Sequence, residues 1–495
     1  MQNVGAAWAM TTLAGSPMLV ALVQTATNLP VFLLGVPAGA IGDIIDRRKL
    51  LLVTQAWMLI AAAVLGVLTL TGTSGPWTLL SLTFALGLGA TMNGPAWQAI
   101  MPELVPRQEL ASAIALNSAG FNLARAVGPA LGGLVVAAIG TGAAFVLNAV
   151  SFVGVLIVLY LWRRAPEHAS TSTESVVAAM WAGARYVRFA PTMHSVLIRS
   201  GTFVLSASAL WSILPLVAKV ELHRESSGYG VLLGCLGVGS ILGALIIGRL
   251  RRLFSAEVIV TWSVALFGLA NVALAYLSRF DVVALVMLAG GVAWMAVNSS
   301  LNTAAQTSLP AWVRARGLAV YLLVFQGAMA VGSVVWGDVA TRFGLRATLL
   351  IAGITLCVAA VATARLPLSS IREVDTTPSL HLPEPTLLVE RPLDHGPVLV
   401  TVEYLIEPAR SAEFHRSMQG MRRIRRRDGA SRWGLFEDAA TPGRYLETFV
   451  VASWAEHLRQ HERMTVSDRE WEDAARAFHL GPDAPKVTHW IAGHG

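Results

Sequence analysis

Arg125 is a charge set inside an apolar stretch, F-N-L-A-R-A-V-G-P-A-L-G-G over residues 121–133. A charge in the middle of a membrane helix costs about 2.5–3.5 kcal/mol on insertion scales. Ser118, Asn122, Arg125, Pro129 and Gly132 step by 4, 3, 4 and 3, so they share one helical face. That face is expected to look into a bundle, where Arg125 would bind an anionic group of a substrate or pair with an acid. A long side chain of this kind can also snorkel to the membrane interface. No acid lies mid-span in the same half of the chain. Gly128-Pro129 and Gly132-Gly133 permit local unwinding and close helix approach.

The elements that hold these residues follow from repetition and composition. Phe325 to Gly337 echoes Phe121 to Gly133: Phe325 answers Phe121, Gln326 answers Asn122, and Ala330-Val331-Gly332 answers Ala126-Val127-Gly128. Gln98 and Pro102 recur as Gln306 and Pro310 at the same spacing. The chain is 55% hydrophobic and 14% charged, with a mean hydropathy of +0.59. A soluble domain carries about 25% charged residues. Apolar runs long enough to cross a bilayer recur to about residue 366. They predict twelve spans, near 1–13, 17–42, 50–70, 78–100, 110–138, 142–162, 193–217, 228–248, 256–277, 282–307, 315–340 and 345–366. The first would reach about 20 Å, short of a hydrocarbon core of about 30 Å. We therefore expect a truncated first helix or a start upstream of Met1, where the missing acid could also lie.

Basic residues cluster at one set of span ends, among them Arg47-Arg48-Lys49, Arg107, Arg163-Arg164, Arg185, Arg188, Arg249, Arg251-Arg252, Arg314, Arg316 and Arg365. The positive-inside rule puts those ends and both termini of a multi-pass membrane protein in the cytoplasm. The formal net charge of +7 lies in residues 1–396, since residues 397–495 hold 14 basic and 14 acidic side chains. It reads as membrane orientation and not as nucleic-acid binding. Cys235 and Cys357 both sit in apolar segments and read as packing residues. The absence of G-x-x-x-x-G-K-[ST] argues against an ATP-driven pump.

The expected domains are a six-helix bundle over 1–162, a linker over 163–192 with an amphipathic piece from Val176 to Phe189, a second six-helix bundle over 193–366, a second linker over 367–396, and a soluble tail over 397–495. In the tail, Val398–Ile406, Arg432–Glu437, Arg444–Val451 and Val487–Ile491 read as strands. Pro408–Arg427, Trp454–His461 and Asp468–Phe478 read as helices. The order β-α-β-β-α-β suggests a ferredoxin-like α+β fold. His457 and His461 lie one turn apart and could bind a metal, but more ligands would be needed, so we expect a solvated helix face and no metal. The run Arg422, Arg423, Arg425, Arg426, Arg427 reads as a solvated helix end or as a contact with anionic lipid.

The stretch Gly39-Ala-Ile-Gly-Asp43-Ile-Ile-Asp46-Arg47-Arg48 resembles the signature loop of the major facilitator superfamily, G-x-x-x-D-R-x-G-R-R. It matches at Gly39, Asp43, Arg47 and Arg48, and departs at Ile44 and Asp46. The resemblance implies a gate latch at Asp43, with Arg314 or Arg316 as candidate partners; a basic loop obeying positive-inside is the alternative for Arg47, Arg48 and Lys49. Gly128, Pro129, Gly132 and Gly133 resemble the G-P-x-x-G-G end of the drug-exporter antiporter signature, which implies export by exchange; a kinked packing helix is the alternative. In that fold spans one, four, seven and ten line the cavity, which makes Trp8, Asn93, Trp97, Trp211, Trp294 and Asn298 wall candidates. The i, i+4 sets Gln24/Asn28 and Asn298/Asn302/Gln306 add polar candidates, with Gln326 as the echo of Asn122. Each could equally be helix–helix glue. Asp338 is expected to pair with Arg342.

Over residues 1–366 the chain is similar to the enterobactin-exporter-like, or transmembrane secretion effector, group of that superfamily. The supporting stretches are Q-N-V-G-A-A-W at 2–8, D-I-I-D-R-R at 43–48 and P-E-L-V-P-R-Q-E-L-A-S-A-I-A-L-N at 102–117. The tail resembles the antibiotic-biosynthesis-monooxygenase type of α+β fold. The expectation is an all-α polytopic membrane protein of two six-helix bundles plus a cytoplasmic tail. It would be a proton-coupled exporter of a siderophore, drug or secondary metabolite, without cofactor and without nucleic acid. A facilitator, an importer, or a transporter fused to an enzymatic tail are the alternatives. We read the tail as a module that dimerises or senses substrate.

Overall fold

The computed structural model describes residues 1–106, 108–162, 176–368, 377, 379 and 395–492. The side chains at 36, 40, 42–44, 99, 101–103, 111, 114, 115, 118, 119, 121, 122, 125, 126, 176–180 and 182 lie outside that description. The chain divides into two compact units.

The first unit takes in Met1–Thr171, Val196–Thr303 and Tyr321–Leu368. Its helices are α1 (Gln2–Leu13), α2 (Pro17–Ile44), α3 (Arg47–Leu70), α4 (Pro76–Leu104) and α5 (Leu110–Leu161). After α6 (Val176–Phe189), which belongs to the other unit, come α7 (Pro191–Leu216), α8 (Ser226–Leu253), α9 (Ala256–Tyr276), α10 (Phe280–Thr307) and α11 (Arg314–Thr363). Eight helices among the described residues are long and apolar enough to cross a membrane. α1, with 12 residues, reaches about 18 Å, as short as expected.

α5 and α11 each contain two spans, broken at Gly140 and Gly344, and both glycines sit at φ 83°, ψ 168°. That region is open essentially to glycine alone. Position 344 lies 204 beyond 140, and Phe325 lies 204 beyond Phe121. One 204-residue offset therefore relates both the sequence echo and the two corners.

α3 shows how the helices partition. Thr54, Met58, Ala61 and Leu65 are buried, while Val53, Trp57, Ile60, Val64 and Val67 are exposed. Each set recurs every three or four residues, so one face packs inward and an apolar face is left for lipid. Pro30, inside α2, cannot donate to the Ala26 carbonyl. α4 comes close there: a Cβ on Gly87 would lie 2.8 Å from Pro30 Cγ and 3.2 Å from the Ala26 oxygen.

The stretch expected as a loop after span two is mostly helical, because α2 runs on to Ile44 and α3 begins at Arg47. Asp46, where the superfamily usually has glycine, caps α3 by accepting from the Lys49 amide at 3.0 Å. Asp338 pairs with Arg342 at 2.9 Å, as expected.

The second unit takes in Ser172–Ser195, Ala304–Val320 and Ser369–Gly495. Its tail runs β1 (Val398–Leu405), a 3-10 turn (Pro408–Arg410), α12 (Ser411–Asp428), β2 (Arg432–Glu437), β3 (Arg444–Val451), α13 (Trp454–Arg463), α14 (Val466–Arg476) and β4 (Lys486–Ile491). The strands form an antiparallel sheet in the order β2-β3-β1-β4. Alternate residues Val398, Val400, Val402 and Tyr404 of β1 face Phe414, Met418 and Met421 of α12 in one core.

Two expectations for the tail are corrected. His457 is buried, not solvated: its ring packs 4.8 Å from His461 and 4.7 Å from His489. Burial, together with those two histidines, pushes its pKa down to about 3. Among the described residues no cluster of three or more His, Cys, Asp or Glu could hold a metal. The arginine run is not a uniform charged face either. Phe414, Met418, Met421, Arg425 and Asp428 step by 4, 3, 4 and 3, so Arg425 falls on the buried stripe. It meets Glu447 at 3.4 Å, whose other neighbour is Trp433 Nε1 at 2.9 Å. Arg427 is also inside, paired with Asp428 and Asp468. Neither can lie on lipid, whereas Arg422 and Arg423 are exposed, as a solvated helix end would have them.

Candidate functional site

The glycines at the end of the first arm of α5 form a seam with α8. A Cβ on Gly133 would lie 2.6 Å from the Gly230 Cα and 2.8 Å from the Ser226 oxygen. A Cβ on Gly230 would lie 2.8 Å from the Gly133 Cα and 3.2 Å from the Pro129 oxygen. The two backbones touch, which any side chain would prevent. One turn along, Gly234 faces Ala130, with 3.1 Å between its added Cβ and the Ala130 Cβ. Gly132 is packed instead against Met1 and Val4 of α1. Gly128 has nothing within 4 Å, and Pro129 is half-buried.

The same offset of 204 carries Gly133 to Gly337 in α11. A Cβ on Gly337 would lie 2.7 Å from the Ala21 Cβ and 3.0 Å from Met18 Sδ, both in α2. Thr25 Oγ1 of α2 donates to the Ala330 oxygen at 3.0 Å, and Gly327 of α11 packs under the Phe32 ring. The two halves of the helical unit thus meet along two related seams, α5 with α8 and α11 with α2. Two further contacts join them. Lys219 Nζ donates to the Thr11 oxygen at 2.6 Å, placing a cation on the C-terminal carbonyls of α1. Trp8 stacks on Tyr229 with ring centroids 6.2 Å apart.

The polar candidates divide. Asn93 is held by α3, since its Oδ1 accepts from Thr54 Oγ1 at 3.2 Å and Gln55 Nε2 at 3.3 Å. Thr54 and Gln55 are buried partners that periodicity alone places on the inner face of α3, though the sequence reading passed over them. Trp294 is buried among Phe203, Phe267, Phe325 and Trp211, with centroids 5.3–6.3 Å away, so it is core and not wall. Asn28 Nδ2 donates to the Gln24 oxygen at 2.7 Å, and Asn298 Nδ2 to the Trp294 oxygen at 2.8 Å, each along its own helix. Trp211, Gln24, Asn28, Asn298 and Gln326 are half-buried, while Trp97, Asn302 and Gln306 are exposed. Arg125 and Asn122 lie on α5, and their side chains are outside the described residues.

Gly39 has open space around it, and Asp43 lies in the last turn of α2 with its side chain outside the description. Arg48 turns inward to its own half. Its Nε donates to the Leu159 oxygen at 3.0 Å and its Nη2 to the Tyr160 oxygen at 2.6 Å, capping the end of α5. Arg47 is half-buried at the start of α3. A residue the sequence reading missed does the same work in the other half. Arg199 of α7, buried, donates from Nη2 to the Ala364 oxygen at 2.8 Å. Ala364 is 204 beyond Tyr160, so the two arginines cap equivalent carbonyls. In the second unit, Arg314 Nε donates to the Leu309 oxygen at 3.3 Å, and Gly183 of α6 packs against Arg316, whose Cβ would be 2.6 Å from an added Cβ.

Comparisons with known proteins match this helical fold. A family model described as a transmembrane secretion effector covers residues 1–494. The multidrug efflux pump Tap of Mycolicibacterium fortuitum is 26% identical over 382 residues, covering 74% of this chain and 91% of the relative. The staphyloferrin A transporter of Staphylococcus aureus is 24% identical over 365 residues, covering 72% and 90%. Among solved structures, a bacterial homologue of the lysosomal transporter Spinster, inward-facing and unoccupied, aligns with a TM-score of 0.58 at 16% identity, covering 74% of this chain and 93% of that one. A bacterial homologue of the iron transporter ferroportin, inward-facing, aligns with a TM-score of 0.55 at 17% identity, covering 74% and 96%. This chain is a membrane transporter belonging to the transmembrane secretion effector family of the major facilitator superfamily.

Proposed function

We propose that the protein exports a small molecule in exchange for protons, by alternating access of halves 1–162 and 193–366. The observation that carries this reading is the backbone contact of Gly133 with Gly230, inside a Gly128-Pro129-x-x-Gly132-Gly133 segment that resembles the antiporter signature. A relative named as a multidrug efflux pump supports the direction, and one named as the staphyloferrin A transporter supports a small-molecule cargo. In this reading Arg125 receives an anionic group of the substrate, with Asn122 and Gln326 at equivalent places in the two halves. Trp97, Trp211 and Asn298 line the path with Gln24, Asn28 and Asn302. The Arg47-Arg48-Lys49 ends and both termini are cytoplasmic, and Asp43 serves as the latch of the inner gate.

The test uses inverted and right-side-out membrane vesicles with two fluorescent probes, cationic ethidium and anionic carboxyfluorescein. An exporter accumulates a probe in inverted vesicles when the lumen is acid, and a protonophore abolishes this. Equilibration independent of the gradient would mark a facilitator, and accumulation in right-side-out vesicles an importer. Arg125→Leu should abolish carboxyfluorescein transport; transport at the full rate would leave Arg125 a snorkelling residue.

A further inference from the structure

In the second unit, α6 connects the two halves of the chain and the 304–320 segment joins spans ten and eleven. The tail is fastened to both. Arg185 of α6 donates from Nη2 to Glu456 Oε1 at 3.1 Å and from Nε to the Arg427 oxygen at 3.3 Å, near the C-terminal end of α12. Next to it Tyr186 is buried. Its hydroxyl donates to the Ser308 oxygen at 3.3 Å, its ring lies 5.2 Å under the Arg427 guanidinium, and it meets Trp312 edge-on at 5.8 Å. Arg463 closes the group. Its Nη1 reaches Glu456 at 2.6 Å and the Asp428 oxygen at 2.9 Å, and its guanidinium covers the Trp312 ring at 4.5 Å.

Three arginines and three carboxylates (Arg185, Arg427 and Arg463 with Glu456, Asp428 and Asp468) therefore balance across one small, largely dry face. Burial alone would raise the Glu456 carboxyl, but Arg463 and Arg185 hold it below its usual range. Burial pushes the Tyr186 phenol up to about 12. Gly429 ends α12 at φ 135°, and an added Cβ would come 2.7 Å from Glu456 Oε1 and 3.4 Å from Arg185 Nη2. Arg185, 242 positions from Arg427 in the chain, completes the ion group on Glu456; the glycine itself is set by its positive φ and by Glu456 of the tail. A face that only had to stay solvated would not need the buried ion group.

We propose that the tail is a clasp: the end of α12 and α13 form a docking surface whose partner is α6 of the same chain, and the docked tail sets the position of the 304–320 segment and hence the rate of transport. The docking contacts all lie within the second unit; the effect on rate rests on the export reading above.

The experiment uses the full-length protein with Cys235 and Cys357 replaced by alanine. Arg185→Cys and Glu456→Cys, which leave Tyr186 under Arg427 and Arg463 on Trp312, are joined with a short bis-maleimide, and a protease site placed between residues 380 and 390 then separates the tail. The clasp predicts that the two pieces stay linked within one chain. Failure to link, or linkage between chains, overturns it. In the otherwise wild-type chain, Arg463→Ala should lower the maximal rate of probe transport about fivefold or more with KM little changed, and Arg463→Lys should recover part of it. An unchanged rate would overturn the effect on transport. If the wild type carries neither probe, the export reading fails by itself. Amide exchange of α6 then decides: protection lost in Arg463→Ala supports the clasp, and protection unchanged contradicts it.

Discussion

The two halves of the helical unit share a frame but not a chemistry. At one offset of 204 they place a glycine corner, a seam glycine and a capped helix end at matching positions. Within the repeated segment they part. Where the first half has Arg125 and Pro129, the second has Met329 and Ser333. Pro129 denies the carbonyl of residue 125 its N–H partner. Ser333 stays in an unbroken helix, and its hydroxyl donates to the Met329 oxygen at 2.7 Å. The seams differ in degree: an added Cβ at Gly133 meets only backbone, at 2.6–3.0 Å, whereas one at Gly337 meets the Ala21 methyl at 2.7 Å, the flexible Met18 side chain at 3.0 Å and the Met18 Cα at 3.2 Å. What is repeated belongs to the frame of the fold, and Arg125 and Pro129 belong to one half alone.

The largest expected effect comes from filling the seams. Gly133→Leu has no side chain to push aside, so probe transport should fall about tenfold to a hundredfold. Gly337→Leu should cost about threefold to tenfold, and Met18→Ala should relieve part of it. Equal losses at both seams would erase the distinction. Next come the arginine caps. Arg199→Met removes a buried charge-assisted donor and should lower the thermal inactivation midpoint by the equivalent of about 2–3 kcal/mol. Arg48→Met, nearer solvent, should cost about 1 kcal/mol or less. The corners should behave alike: Gly140→Ala and Gly344→Ala force a methyl into a glycine-only region and should each cost about 1–3 kcal/mol. A clear difference between them would break the repeat at that point.

The tail supplies a contrast outside the repeat. An unfolded histidine titrates near 6.5, and buried His457 near 3. Between those values the unfolded tail binds a proton that the folded tail does not, so stability is full above pH 6.5 and falls with pH. The loss is about 1.4 kcal/mol per pH unit. Proteolysis of the tail in full-length protein should show at least this slope, and His457→Phe should make it shallower, leaving the part due to His489, whose pKa burial also lowers.

The helices, their corners and the repeat were legible because apolar runs and glycines at fixed offsets are local signals. The tail's strands were legible from alternation, and β2 and β3 fall on the expected residues. What the sequence hides is which residue each glycine or charge meets. Gly133 finds Gly230, and nothing near either residue names the other. Asn93 looked like a cavity wall because its partners Thr54 and Gln55 sit on another helix. The arginine run looked solvated because charge outweighed phase, although the 4, 3, 4, 3 steps from Phe414 to Asp428 already put Arg425 on the buried stripe. Glu447 sits in core phase between Tyr445 and Phe449 and marks the partner.

Alternation about the α5–α8 seam is tested most directly by a reversible lock across it. Ala130→Cys with Gly234→Cys, in protein lacking Cys235 and Cys357, places two sulfurs where the Cβ positions are 3.1 Å apart, close to disulfide reach. Oxidation should form the bond and stop transport of the probe the wild type carries, and dithiothreitol should restore it. Quantitative disulfide with transport undiminished would contradict the account, because the seam would then stay closed through the whole cycle.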